Sequence, residues 1–229
     1  MRNSFCFLIG LSLAFPVAAA PAGKVEIAYE LNRNGSAIAE LVEDLEHDGK
    51  TYRLSAQMKG KGLYSLRGDA TRSSRGTIGA EGLRPIEFED KRTGRDTARA
   101  KFDWAAKTLT LQSKEGASET KPLTVGMQDR MSFAYSFAFR VPGAAPVTLN
   151  ITDGKGVSSS VYTASGRETV KTPAGEFEAL KLTRQKNNPD DRSSEIWLAV
   201  KQGYLPVRIL VVEKDGTRVD QVATRVSVQ

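Results

Sequence analysis

The chain predicts a mainly β protein: a strongly curved antiparallel meander, a barrel or half-barrel of about a dozen strands, with one helix near residues 128–140 packed on or capping the sheet. Three observations lead to this expectation. Short runs in which apolar and polar residues alternate recur along the whole chain beyond its first two dozen residues. Turn dipeptides separate them, among them Asn34-Gly35, Asp48-Gly49, Asp153-Gly154 and Asp215-Gly216, the strongest short signals for a hairpin. One segment, QDRMSFAYSFAFR at 128–140, departs from this pattern and carries the densest aromatic cluster of the sequence: Phe133, Tyr135, Phe137 and Phe139.

Residues 1–22 read as a signal peptide. Arg2 supplies the positive start, residues 5–15 the apolar run, and Pro16-Val17-Ala18-Ala19-Ala20 the small-residue cleavage region. The cut falls after Ala19, Ala20 or Ala22, and Pro21 disfavours Ala20. The apolar run is too short to span a bilayer and no second one follows, so no transmembrane span is expected. Residues 23–229 are then one soluble, periplasmic, β-rich domain. Cys6, the only cysteine, lies in the apolar run, which leaves the mature chain no disulfide, thiol nucleophile or thiolate metal ligand.

Residues 25–31, 38–46 and 51–58 alternate as three strands of a meander, turned at Asn34-Gly35 and Asp48-Gly49. Residues 63–77 read as one long strand, bent by its glycines. Residues 84–92 follow, with Pro85 near the start, where a missing N–H does least harm. Residues 97–104 and 108–113 form a hairpin about Ala105-Ala106-Lys107, and 120–125 leads to the aromatic segment. Beyond it, 147–152, 157–164, 168–172, 177–185, 194–200, 204–212 and 218–228 continue the meander. So many antiparallel strands accumulate twist, and the sheet must curl or split. Hairpin-length connections favour curling.

Two readings compete for residues 128–140. With period two, Met131, Phe133, Tyr135, Phe137 and Phe139 alternate with small residues, which suits a strand. With the helical period, Asp129, Ser132, Ser136 and Arg140 form one polar stripe on an otherwise apolar helix. Asp129 suits the N-cap, Arg140 the C-terminal end, and Val141-Pro142-Gly143 stops the helix. The boundary signals favour the helix. Its plain role is to plug the sheet; alternatively Met131, Phe133, Tyr135 and Phe137 line a ligand cavity.

Catalytic sets do not emerge, and neither a cofactor nor a metal is expected. The single histidine, His47, precedes a hairpin turn between Glu46 and Asp48, with no G-x-S-x-G motif anywhere. One histidine and no mature cysteine make a zinc site an empty prospect. No glycine-rich phosphate loop precedes a helix. The loop Asn187-Asn188-Pro189-Asp190-Asp191 lacks calcium-loop spacing and reads as a polar hairpin tip. Carboxylates are plentiful but none stands out as a pair, so a glycan hydrolase is the least supported reading. Net charge is +6, with acidic residues mixed throughout, a balance that solubility explains. Cationic side chains crowd most between Arg67 and Lys101, spread over several strands that together form a basic rim; aromatics are sparse among them, and nucleic acid is not an expected partner.

Several segments in order resemble the DUF3108 family of exported bacterial proteins, a domain of unknown function. They are Asp48-Gly49-Lys50-Thr51-Tyr52, Gly82-Leu83-Arg84-Pro85 with Phe88, and Ala100-Lys101-Phe102-Asp103-Trp104. Asp129-Arg130-Met131-Ser132-Phe133-Ala134-Tyr135 follows, then Thr172-Pro173-Ala174-Gly175-Glu176-Phe177, Ile196-Trp197-Leu198 and Leu205-Pro206-Val207-Arg208-Ile209. The resemblance implies a single β-rich domain, supports the helix at Asp129, and brings no catalytic or cofactor residue with it. At fold level the expected architecture is similar to the LolA/LolB type of periplasmic carrier, whose concave apolar cavity accepts acyl chains. Two functional expectations follow: a periplasmic binding protein for an apolar or lipid-like ligand, or an envelope interaction module for a protein or polysaccharide with no small ligand.

Overall fold

The structure is a computed structural model that describes residues 23–114 and 116–229; the leader expected at 1–22 lies outside the described residues. Every strand belongs to one sheet. Its first arm comprises β1 (Lys24–Arg33), β2 (Ser36–His47), β3 (Thr51–Gly60), β4 (Ala70–Gly79), β5 (Gly82–Arg92), β6 (Ala98–Asp103), β7 (Thr108–Lys114) and β8 (Ala117–Pro122). The second comprises β9 (Gln128–Asp129), β10 (Val147–Thr152), β11 (Val157–Thr172), β12 (Gly175–Arg184), β13 (Ser193–Ala199), β14 (Leu205–Val212) and β15 (Arg218–Val228). Helix α1 (Ser132–Phe139) lies between β9 and β10.

Spatial order runs β8 to β1, then β15 back to β9, in a 15-stranded sheet that is curved and not closed. The first and last strands therefore meet in mid-sheet, where β1 pairs with β15 from Val25↔Val228 to Arg33↔Val219. All pairs are antiparallel except β9 with β10, where Gln128 and Asp129 run beside Ile151 and Thr152. That exception follows from α1: parallel neighbours need a crossover, and the helix provides it. The count is somewhat above the dozen expected; segment by segment, two of the expected strands merge into β11, and β9, only two residues long, gives no periodic signal.

Alternation places one face of each strand inward: Val25, Ile27 and Tyr29 on β1, Leu41 and Leu45 on β2, Leu54 and Ala56 on β3. Register shifts near Ala28, Leu31, Gly76, Ala164 and Trp197 add the bends that curl the sheet. At Gly76 the close approach is tight enough to require glycine, since a Cβ there would stand 2.1 Å from the Arg84 carbonyl oxygen.

Several local expectations are corrected. Residues 63–77 are not one strand: Gly62–Arg67 form a 3-10 helix before β4 begins at Ala70. The two strands expected at 157–164 and 168–172 are one, β11, with a bulge after Ala164. Asn34 and Gly35 both have positive φ, as a type I′ turn needs, whereas at the next hairpin only Gly49 does. There the Asp48 carboxylate closes the loop, accepting the N–H groups of Lys50 at 2.8 Å and Thr51 at 2.6 Å.

The helical reading of the aromatic segment holds over a shorter span than expected. Gln128 and Asp129 are strand, and α1 begins at Ser132. Asp129 still organises the helix start: its Oδ1 accepts from Met131 N and Ser132 N, both at 2.8 Å, and Ser132 Oγ accepts from Asp129 N at 3.0 Å. Of the polar stripe only Arg140 faces solvent. Asp129 and Ser132 are wholly buried and Ser136 nearly so. They stay buried because each is hydrogen-bonded: Ser74 Oγ on β4 donates to Asp129 Oδ2 at 2.6 Å and stands 3.0 Å from Tyr52 Oη, while Ser136 Oγ donates to the Phe133 carbonyl.

Packed on β5 and on β14, α1 bridges the two arms. Its Met131, Tyr135 and Ala138 join the larger core with β1–β5, and Phe137 joins a second core with Leu149, Tyr162, Leu182, Ile196 and Leu198. Trp197 and Trp104 anchor the sheet from other faces, with their Nε1 groups donating to Glu168 Oε1 and the Pro85 carbonyl, both at 2.6 Å.

Candidate functional site

Beside the start of α1 the concave side of the sheet keeps a cleft of about 860 Å³. Both arms build it. The first contributes Leu31, Leu41 and Met58, the second Ile151, Tyr162, Ile209 and Val211, and the helix Met131, Phe133 and Tyr135. Of the four side chains expected to line a cavity, Met131, Phe133 and Tyr135 do so; Phe137 is packed into the second core instead. The helical period decides this, because Phe133 sits one turn nearer the mouth than Phe137 on the same face.

Polar groups enter this apolar hollow in three sets. Glu43, on the inward face of β2 between Leu41 and Leu45, accepts the Tyr135 hydroxyl at 2.9 Å. Burial pushes its carboxyl above the ordinary range, against the opposing pull of that hydrogen bond and of Arg72. Tyr135 and Tyr29 are raised well above the usual phenol value, again by burial and then by the nearby Glu43 charge; Tyr29 donates to the Pro206 carbonyl at 2.6 Å.

The second set is Arg72, Asp90 and Arg92. Asp90 accepts both Arg92 Nε at 3.1 Å and Nη2 at 2.7 Å, and Arg72 Nε stands 3.2 Å from its Oδ2 in a charge contact. Burial alone would raise the Asp90 carboxyl, but the Arg92 hydrogen bonds and the two arginine charges hold it below the ordinary value. The third set is Arg130, Arg184 and Arg192, from the approach to α1, the end of β12 and the approach to β13. Arg192 pairs with Glu213 at 3.2 Å. Arg130 is exposed to the solvent of the cleft, and its guanidinium is pulled down to about 10, first by desolvation from the protein that flanks it, then by the Arg72 and Arg92 charges.

The basic rim expected between Arg67 and Lys101 is thus divided by strand alternation. Arg72 and Arg92 turn into the cleft, while Arg75 and Arg99 pair with Glu87 and Glu89 on the outer face. These outer pairs border a second, shallower hollow of about 560 Å³ over β3–β7. Arg130, Arg184 and Arg192 were not foreseen as site residues. Arg72 and Glu43 had a legible signal, a charge at an inward position of an alternating strand, whereas Arg184 and Arg192 flank a loop and had none.

Each carboxylate of the cleft is engaged: Glu43 by Tyr135, Glu213 by Arg192, and Asp153 Oδ1 by the turn amides of Lys155 and Gly156. His47 is remote from it, its ring edge-on to Phe139 at 5.0 Å and its Nδ1 accepting from Gly49 N. Among the described residues no group of three metal-ligating side chains converges, and no helix is long and apolar enough to cross a membrane.

A single open, curled antiparallel sheet with a bridging helix and a concave amphipathic cleft places the molecule among β-barrel-like proteins. The chain belongs to the DUF3108 family, proteins of unknown function, which it matches over residues 24–222. It is similar in fold to a crystal structure described as a β-barrel-like protein of the domain of unknown function DUF1849 from Brucella abortus, with a TM-score of 0.57 at 9% identity over 92% of this chain and 100% of that one. A candidate exported protein with a YmcC-like fold from Bacteroides fragilis aligns with TM-score 0.42 at 13% identity, over 91% of this chain and 100% of its own. A candidate lipoprotein from Parabacteroides distasonis aligns with TM-score 0.39 at 10% identity, over 92% and 98%. No curated protein matches in sequence.

Proposed function

We propose that this protein is a non-enzymatic binding protein of the periplasm that holds an apolar or lipid-like ligand in the cleft beside α1. The observation that carries this reading is the cleft itself. At about 860 Å³ it falls within the range of roughly 300–1,000 Å³ usual for small-molecule sites, with an apolar floor drawn from both arms and a few placed polar groups. The leader-like residues 1–22 support export. The engagement of every cleft carboxylate by a tyrosine, an arginine or a turn amide supports binding over hydrolysis, which needs one carboxyl free to protonate and another to attack.

The test is native mass spectrometry of the protein taken from its own envelope, with titration of the stripped protein by a fluorescent apolar probe. A bound adduct, or probe binding that Val211→Trp blocks by filling the cleft, is the expected result. Bare protein that ignores the probe would overturn the reading. One observation favours the second expectation, an interaction module: Leu63 and Leu66 of the 3-10 helix are 84% and 85% exposed at one end of the sheet. If that tip docks a partner, crosslinking in the envelope should capture one stoichiometric neighbour, and Leu63→Ser with Leu66→Ser should lose it.

A further inference from the structure

Cations outnumber carboxylates along the cleft, whose acidic lining is Glu43, Asp153 and Glu213. Six cations reach it: Arg72, Arg92, Arg130, Lys155, Arg184 and Arg192. Asp90 answers both Arg72 and Arg92, and Glu213 answers Arg192. Asp153 spends one oxygen on its own turn, and Glu43 is engaged by the Tyr135 hydroxyl. Arg130, Lys155 and Arg184 therefore have no carboxylate ion pair among the described residues, and Arg184 Nε is buried without a hydrogen-bond partner. Arg130 is repelled by Arg72, Arg92 and Arg192, with Asp90 opposing them in part.

Such crowding of like charge is unfavourable by itself. Guanidinium groups collected in one hollow repel one another; Arg92 spends its fork on Asp90 and Arg192 pairs with Glu213, whereas Arg130 makes no ion pair among the described residues and offers its planar fork of donors to a bidentate anion. Local rules broken in this way mark sites that a ligand completes. Next to the cations lies the apolar floor of Leu31, Met58, Met131, Ile209 and Val211, so charge and grease belong to one hollow.

Resting on the binding reading above, we propose that the ligand is an acidic amphiphile: an alkyl or acyl chain along the apolar floor and a phosphate or carboxylate head group held by the arginines around Arg130. The head group replaces the missing counter-charge, and the chain replaces water on Leu31, Met58 and Val211. Neutral lipids of the same length fit the floor but leave the arginines unanswered.

Dodecyl phosphate and the neutral monododecyl glycerol, both below micelle formation, are titrated into the mature protein at low and at physiological salt. The phosphate-headed chain should bind at least about tenfold more tightly, as expected for a hydrogen-bonded charge, and its advantage should shrink as salt screens the head group. Arg130→Gln with Arg184→Gln should bring the two affinities within about threefold, without lowering the melting temperature, because repulsion is relieved. Equal affinities in the native protein, or selectivity that survives both substitutions, overturn the acidic head group while leaving the binding reading in place. Failure of both chains to bind overturns both. Inorganic phosphate that displaces dodecyl phosphate at similar concentration assigns the arginines to a free anion and overturns the amphiphile.

Discussion

Glu43 shows how a single residue reports on the whole concave face. Its folded carboxyl value lies above the ordinary 4.5, chiefly through burial, so the folded protein binds its proton more tightly than the unfolded chain does. The associated stability is fully present below the ordinary value and is lost as pH rises through the raised one. Glu43→Gln stays neutral and keeps an acceptor for Tyr135, so its stability relative to the native protein should climb as the pH rises above the ordinary carboxyl value of 4.5. Urea unfolding across that range measures it, and a flat difference would contradict the role of burial. Phe137 and Phe133 give a second residue-level contrast. Phe137 is 3% exposed in solid core, so Phe137→Ala should cost about 3–5 kcal/mol and leave probe binding unaltered. Phe133 already borders the void; Phe133→Ala should cost well under that and change probe binding.

At the scale of the element, α1 depends on a hydrogen-bonded start rather than on its own propensity. Eight residues, four of them aromatic, make too short a helix to stand alone. Asp129 links it to Met131 N, Ser132 N and Ser74 Oγ, and through Ser74 to Tyr52. Asp129→Ala would strip three buried donors of their acceptor. The expected loss is about 2–4 kcal/mol, beyond the ~0.5–2 of an exposed cap. Asp129→Asn keeps the acceptor for the amides and should recover part of it. Chemical denaturation compares the three proteins; a neutral Asp129→Ala would mean that the network carries no stability.

For the whole molecule the decisive contact is the mid-sheet seam. Gln229 N donates to the Lys24 carbonyl at 2.9 Å and Lys24 N to the Gln229 carbonyl at 3.3 Å, so the first and last strands finish side by side. Joining residue 229 to residue 23 by a short glycine linker and reopening the chain in the exposed loop at Pro189 keeps every strand pair. Such a permutant of the domain should fold, with stability within about 1 kcal/mol and a melting shift of roughly 2–4 °C. Deleting β15 instead removes the partner of β1 and β14 at once and should abolish cooperative unfolding by calorimetry.

The alternation of strands, the turns at Asn34-Gly35 and Asp215-Gly216, and the helix at Ser132 were legible in the sequence because each rests on contacts within a few residues: side-chain period, positive φ and local capping. Curvature was legible too, since so many antiparallel strands cannot stay flat. The meeting of β1 with β15, the parallel pair β9–β10 and the two-armed order were not, because pairing across such separations leaves no periodic trace. Burial of the Asp129–Ser132–Ser136 stripe depended on Ser74 and Tyr52 arriving from the first arm to satisfy it. The cleft is the clearest case. Arg72, Arg92, Arg130, Arg184 and Arg192 are dispersed along the chain among ordinary surface cations, and only the curl of the sheet, bringing strands of both arms around one helix, gathers their charge into a single hollow.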